Sequence, residues 1–298
     1  MFSSLEELFD KDKNSEKKKL ALAVAHDEHA LQAVKEAYQE NIIEPILVGD
    51  EQKIRSIASE IGFDISALRI IDEKNEVKAV EAAVRLVRTG DAQILMKGNV
   101  ATATLLKGVL NKEWGLRSGK ILSHFALFEI KGYHKLLGIT DVAMNIAPDL
   151  DTKIGILNNA VSYLNKVGID HPKVAVISAA ETVNNGMPSS VEAAIIAKMS
   201  DRKQIKNCVV DGPLALDNAI SKESAEHKGI ESKVAGDADL LLVPNIEAGN
   251  VLYKSLSFFA EVKISAVILG AKAPIVLTSR SDSHETKQNS IKLAALGA

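Results

Sequence analysis

The sequence predicts an α/β protein built on mainly parallel sheets. Two observations carry this. Short aliphatic or β-branched runs alternate with longer amphipathic patterns from end to end, the order that layers helices on a parallel sheet. The composition, 46% hydrophobic and 25% charged over 298 residues, is that of a globular chain and excludes disorder, collagen and a disulfide scaffold.

Eleven runs read as strands: 20–25, 45–48, 68–71, 93–96, 121–129, 135–139, 173–177, 207–210, 239–243, 266–269 and 274–277. Between them the helical spacing is explicit. From Glu76 to Thr89, Val77, Val80, Val84 and Val87 recur at steps of three and four, and Gly90 follows as a C-cap. Asp151 to Val167 repeats the pattern and stops at Gly168. Only Ile130 to His134 separates the fifth strand from the sixth, so that pair is expected to form an antiparallel hairpin at a domain junction. The charged run Lys11 to Lys19 reads as a solvated helix end.

Charge and cysteine content narrow the function. A net charge of -3 argues against a general nucleic-acid or polybasic membrane binder. A single cysteine, Cys208, excludes an intrachain disulfide and a cysteine-rich metal site, and its strand-like surroundings give it the role of a small buried hydrophobe. No run approaches the ~18 apolar residues that span a bilayer, and the acidic start resembles no secretory leader, so a cytoplasmic protein is expected. The seven histidines show no metal-ligand spacing, and His26 and His29 sit among carboxylates that read as a helix start.

Ligands of α/β sheets gather beyond the carboxyl ends of strands, and five such exits are polar or glycine-rich. Lys97-Gly98-Asn99 with Thr102 offers a lysine and free backbone N–H groups suited to a phosphate. Ser123-His124 interrupts an apolar strand, and Thr140 to Pro148 is a polar exit that includes Asn145. Pro244 to Lys254 opens a helix with Asn245, Gly249 and Asn250. The densest exit is Thr278-Ser279-Arg280-Ser281-Asp282-Ser283-His284-Glu285-Thr286-Lys287. There Arg280 can grip a phosphate or carboxylate through two parallel N–H bonds, Ser279 can donate to a developing oxyanion, and Asp282, His284 and Glu285 are candidate bases. A Walker loop, a GxSxG elbow and a GxGxxG turn after the first strand are all absent.

Taken together, these motifs resemble the phosphate acetyl/butyryl transferase family, the phosphate butyryltransferases more closely than the phosphotransacetylases. The resemblance runs along nearly the whole chain after the first strand. It rests on Lys97-Gly98-Asn99, Asn145-Ile146-Ala147-Pro148-Asp149-Leu150, Ala179-Ala180-Glu181-Thr182-Val183-Asn184 and Asp211-Gly212-Pro213-Leu214-Ala215-Leu216-Asp217. Pro244 to Lys254 and Thr278 to Lys287 complete it.

The resemblance implies a reversible reaction, acyl-CoA plus phosphate giving acyl phosphate plus coenzyme A, with short butyryl or branched acyl groups. It implies two α/β/α domains like the isocitrate and isopropylmalate dehydrogenases, with the active site in the interdomain cleft: residues 1–138 with 270–298 against 139–269. It assigns Arg280 to the phosphoryl group and Ser279 to the oxyanion. Lys97, Asn99, Thr102, Ser123, Asn145 and Thr278 go to phosphate or substrate. Asn245, Gly249, Asn250, Tyr253 and Lys254 go to coenzyme A. Phosphotransacetylases carry an aspartate base seven residues after the serine, where this chain has Thr286. Asp282, Glu285 and His124 are the substitutes. Coenzyme A enters as substrate, with no permanently bound cofactor or metal, and the expected assembly is a homodimer or larger even homo-oligomer. A non-catalytic sensor of acyl-CoA or acyl phosphate, and an NAD-linked decarboxylating dehydrogenase on the same fold, are the competing readings.

Overall fold

The computed structural model describes residues 2–11, 16–277 and 282–298. The chain forms two compact units. A middle unit holds Met1–Leu8 and Ile121–Lys263, and a flanking unit holds Phe9–Lys120 and Ile264–Ala298.

After a short helix α1 (Leu5–Asp10), the flanking unit alternates β1 (Lys18–Ala23), α2 (Glu28–Gln39), β2 (Ile43–Gly49), α3 (Glu51–Glu60), β3 (Arg69–Asp72), α4 (Glu76–Thr89), β4 (Ile94–Lys97) and α5 (Thr102–Val109). β1, β2, β3 and β4 pair in parallel in the order β3-β2-β1-β4. Three helices begin on side-chain caps that engage first-turn N–H groups: Asp27 for α2, Asp50 for α3 and Asn75 for α4. Asp27 thereby accounts for the acidic run around His26 and His29. Gly90 closes α4 at φ +86, the left-handed turn that glycine allows. The buried stripe of α4 is Ala79, Val80, Ala83, Val84, Leu86 and Val87, while Val77 in the first turn is exposed. Alanines complete a face that the valine spacing only sketched.

The middle unit runs β5 (Ser123–Ile130), β6 (Leu137–Thr140), α6 (Leu150–Val167), β7 (Lys173–Ile177), α7 (Pro188–Asp201), β8 (Val209–Leu214), α8 (Leu216–Ile220), α9 (Lys222–His227), β9 (Leu240–Leu242) and α10 (Ile246–Phe259). Its strands lie in the order β5-β6-β9-β7-β8. β5 and β6 form the expected antiparallel hairpin, with Phe125 opposite Thr140 and Phe128 opposite Leu137. The other pairings are parallel. β5 buries Phe125, Ala126, Leu127 and Phe128 in succession, as a strand covered on both faces does.

The chain then enters β10 (Val262–Leu269), turns into β11 (Ile275–Val276) and ends in α11 (His284–Leu296). β11 pairs antiparallel with β10 and parallel with β4, placing it between them. The units change over after residues 120 and 263, whereas the resemblance put the changes at 138 and 269. The hairpin keeps 121–138 with the middle unit, since a cut at 138 would fall inside β6.

Cys208 departs from its expected place. It precedes β8 and is half-buried rather than enclosed, because Asn207 takes a positive φ of 62° and delays the strand. Burial pushes its thiol up to about 11. The run 11–19 divides too: Lys18 and Lys19 are already strand, and 12–15 lie outside the described residues.

Candidate active site

In the flanking unit the Lys97-Gly98-Asn99 turn leaves β4 and is clamped to the end of β1. Gly98 N–H donates to the Ala23 carbonyl (2.9 Å) and Asn99 N–H to the Val24 carbonyl (2.8 Å). A Cβ on Gly98 would stand 2.3 Å from the Val24 oxygen, so only glycine fits. Lys97 is half-buried, and Asn99 and Thr102 are exposed. α5 then starts at Thr102 with no side-chain cap and no acid in its first turn. Its leading N–H groups therefore have no side-chain acceptor in the cap.

Thr278, Ser279 and Arg280 lie outside the described residues. Beyond them, Ser283 caps α11, accepting from Thr286 N–H at 3.1 Å and donating to Thr286 Oγ1 at 2.9 Å. Thr286 is buried, and its carbonyl accepts from Ser290 Oγ (2.7 Å), which in turn accepts from Ala266 N–H (2.9 Å). The helix begins at His284, so Asp282 precedes the cap while Glu285 is exposed in the first turn. His284 Nε2 stands 3.1 Å from Glu36 Oε2 of α2.

In the middle unit, Ser123 has no exposed surface, and its Oγ accepts from Asn159 Nδ2 of α6 at 3.1 Å. The same amide donates to the Ile121 carbonyl at 2.8 Å. His124 is buried next to it, edge-on to Tyr253 with ring centroids 6.1 Å apart.

The centre of this exit is a residue that sequence reasoning passed over. Asp141, 3% exposed, follows β6. Its Oδ1 accepts N–H from His124 (3.2 Å), Ala143 (3.0 Å) and Met144 (3.0 Å), and its Oδ2 accepts Asn145 N–H (3.1 Å) and Asn145 Nδ2 (2.5 Å). Asn145 Nδ2 also donates to the Leu122 carbonyl at 2.8 Å. One carboxylate thus binds the start of β5 to the loop after β6. The polar exit after Thr140 was the available signal; nothing in it marks Asp141 above Asn145.

The residues assigned to coenzyme A mostly fasten α10 to that loop. Asn245 caps α10 through Ala248 N–H (2.9 Å). Gly249 packs so closely that a Cβ would stand 2.6 Å from the Asp141 carbonyl oxygen. Asn250 Nδ2 reaches the Val142 carbonyl at 3.3 Å. Tyr253 is buried against His124 and Phe128, with the Lys254 ammonium 5.5 Å from its ring centroid. The structure therefore brings Ser123, His124, Asn145, Gly249, Asn250 and Tyr253 together. Among the described residues no three His, Cys, Asp or Glu side chains gather as a metal-holding set, and no helix is long and apolar enough to cross a membrane.

The phosphate acetyl/butaryl transferase family profile matches residues 3–83 and 73–295. The chain belongs to the phosphate acetyl/butyryl transferase family. It is 54% identical over 298 residues to the phosphate butyryltransferase of Clostridium acetobutylicum, covering 100% of this chain and 99% of that one. It is 46% identical to the phosphate acetyltransferase of Thermotoga maritima over 94% of this chain and 95% of the other. The crystal structure of a branched-chain phosphotransacylase from Enterococcus faecalis V583 superposes with a TM-score of 0.83 at 40% identity, over 94% of this chain and 98% of that one.

For a phosphate acetyl/butyryl transferase, Thr286 is the informative departure. The resemblance sets it where phosphotransacetylases carry an aspartate, and in the structure its backbone and hydroxyl serve the α11 cap. Asp282 lies ahead of the cap and Glu285 on the exposed first turn.

Proposed function

We propose that this chain interconverts a short-chain acyl-CoA, butyryl or branched, and phosphate with acyl phosphate and coenzyme A. The 54% identity to a phosphate butyryltransferase along the whole chain carries this reading.

In the acyl-CoA-forming direction, the coenzyme A thiol gives up a proton and its sulfur attacks the acyl phosphate carbonyl. The C–S bond forms, the carbonyl electrons move onto oxygen, and the collapse of that oxyanion expels phosphate. A free thiol titrates near about 8.5, so a base or a cationic field is needed at neutral pH. Arg280 and Lys97 supply the field and hold the phosphoryl group. Ser279 donates to the oxyanion, an interaction worth roughly 2.7–4 kcal/mol in comparable sites. Asp282 is the favoured base because it lies nearest Arg280 in the chain, with Glu285 and His124 as the other candidates. Lys97, Asn99, Thr102 and Thr278 take up phosphate. Ser123 and Asn145 support the substrate through the β5 start and the loop after β6. Asn245, Gly249, Asn250, Tyr253 and Lys254 shape the end of α10 that coenzyme A meets. A homodimer or larger even homo-oligomer is part of this scheme.

The test is release of coenzyme A thiol from butyryl-CoA on adding phosphate. Wild type turns over, and Arg280→Ala falls below about one tenth of it, the loss expected when a charge-assisted contact to the reacting group goes. Butyryl-CoA binding without turnover would leave a sensor, and full activity in Arg280→Ala would remove Arg280 from the chemistry.

A further inference from the structure

The middle unit carries a second polar centre at the amino ends of its parallel strands, the pole away from Asp141. Lys135, 1% exposed, precedes β6. Its Nζ donates to Asp237 Oδ1 (2.8 Å), Asp239 Oδ1 (2.7 Å) and the Asp237 carbonyl (2.9 Å). Lys173 opens β7, with Nζ 2.5 Å from Asp237 Oδ2 and its backbone N–H donating to Asp239 Oδ2 at 2.7 Å. His134 Nε2 lies 2.8 Å from Asp237 Oδ1. Burial pushes the Asp237 carboxyl up, but hydrogen bonds from Lys135, Lys173 and His134 more than offset this and hold it below the usual carboxylate range. Two ammonium groups and two carboxylates thus balance one another within the cluster.

Beside the cluster lies a cavity of about 730 Å3, bounded by His134, Lys173, Asp237, Lys222 and Lys233. The last two have no carboxylate partner among the described residues. The surplus positive charge therefore faces the cavity. The backbone fixes where both lysines start. Gly236 (φ +74) packs on Lys222 so tightly that a Cβ would lie 2.5 Å from the Lys222 Cα. Ser232 Oγ accepts Val234 and Ala235 N–H at 3.0 Å each, setting the turn that carries Lys233. A neighbouring cavity of about 720 Å3 shares Lys233 and is also lined by Lys203, Lys206, Asp201, Asp211 and Glu231.

We propose that the Lys222–Lys233 cavity binds a phosphate-bearing small molecule at a site separate from the acyl-transfer residues. Its volume is that of a small-ligand site and exceeds what inorganic phosphate fills. Lysine ammonium groups act as point-charge phosphate binders, and the charges of the cluster behind them are paired internally. The inference stands independently of the acyl-transfer reading.

The experiment titrates inorganic pyrophosphate by calorimetry into wild type, Lys222→Ala/Lys233→Ala, Lys222→Arg/Lys233→Arg and Arg280→Ala. The expected result is a pyrophosphate site in wild type that survives Arg280→Ala and the double arginine variant. In the double alanine variant it weakens at least about tenfold, the scale of one charge-assisted hydrogen bond lost. Turnover of butyryl-CoA by the double alanine variant stays at the wild-type level. Equal pyrophosphate binding in wild type and the double alanine variant overturns the proposal, as does loss of all binding in Arg280→Ala. A wild type that binds pyrophosphate this way yet never turns over butyryl-CoA sinks the proposed function and leaves this site standing.

Discussion

Replacing Asp141 with alanine strips five hydrogen bonds from one enclosed carboxylate. Their loss is unequal. His124 N–H is buried at the start of β5 and keeps no replacement, which costs about 1.5–3 kcal/mol for a bond to a charged acceptor. Ala143 is exposed and Met144 and Asn145 are half-buried, so water recovers most of the other four at about 0.5 kcal/mol each. The sum is about 4 kcal/mol, near the upper end for a single substitution. Asp141→Asn keeps one oxygen and serves either the three donors on Oδ1 or the two on Oδ2, so it costs about half as much. Urea unfolding followed by circular dichroism is the assay. The single tryptophan, Trp114, belongs to the flanking unit, so its fluorescence would follow the wrong half of the chain. An Asp141→Ala variant within about 1 kcal/mol of wild type would refute the reasoning, because the loop would then be held by something other than this carboxylate.

Other substitutions probe neighbouring features. Gly249→Ala drives a Cβ to 2.6 Å from the Asp141 carbonyl and should destabilise by about 1–3 kcal/mol; unchanged thermal unfolding would contradict that. Asn159→Ala leaves the Ile121 carbonyl and Ser123 Oγ without their donor and should cost about 1–3 kcal/mol in the same unfolding assay. Lys135→Met leaves Asp237 and Asp239 facing each other and should cost about 3 kcal/mol at neutral pH. The folded-state carboxyl of Asp237 is held below its unfolded value, so its contribution is fully present above about pH 4 and fades as the pH falls through the folded value. The stability gap between wild type and Asp237→Asn should therefore close on acidification, and a gap independent of pH would reject the cluster as drawn.

The eleven strands of the described residues were all legible as aliphatic runs, and the β5–β6 hairpin was legible in its short connection, because both signals are local. Boundaries moved where a backbone detail intervened, as Asn207 does before β8. The site was readable only in part. The strand-exit rule found Lys97, Asn145 and the α10 start, whereas Ser123 opens β5 and was marked by its polarity in an apolar run. It could not tell a side chain that faces a ligand from one that fastens the scaffold, and Gly249, Asn250 and Tyr253 visibly fasten. Asp141 and Asn159 were passed over because the contacts that tie them to β5, to His124 N–H, the Ile121 carbonyl and Ser123 Oγ, lie 17 to 38 residues away in sequence. No periodicity encodes such distances. The resemblance supplied the roles of Ser279 and Arg280.

The place of β11 between β4 and β10 bears on how this chain is born. Residues 9–120 leave the ribosome with β4 paired to β1 on one side only, and the strand that covers the other side lies beyond residue 263. At about 5–20 residues per second, synthesis of the intervening middle unit takes roughly 7–30 s. Throughout that interval the nascent flanking unit presents an open, apolar strand edge, the kind of template on which another chain can pair. The middle unit, contiguous from residue 121 onward, can meanwhile close its own hairpin and parallel ladder. Translation order therefore favours the later-made half maturing first, and a chain stopped before residue 264 would carry its unfinished edge permanently.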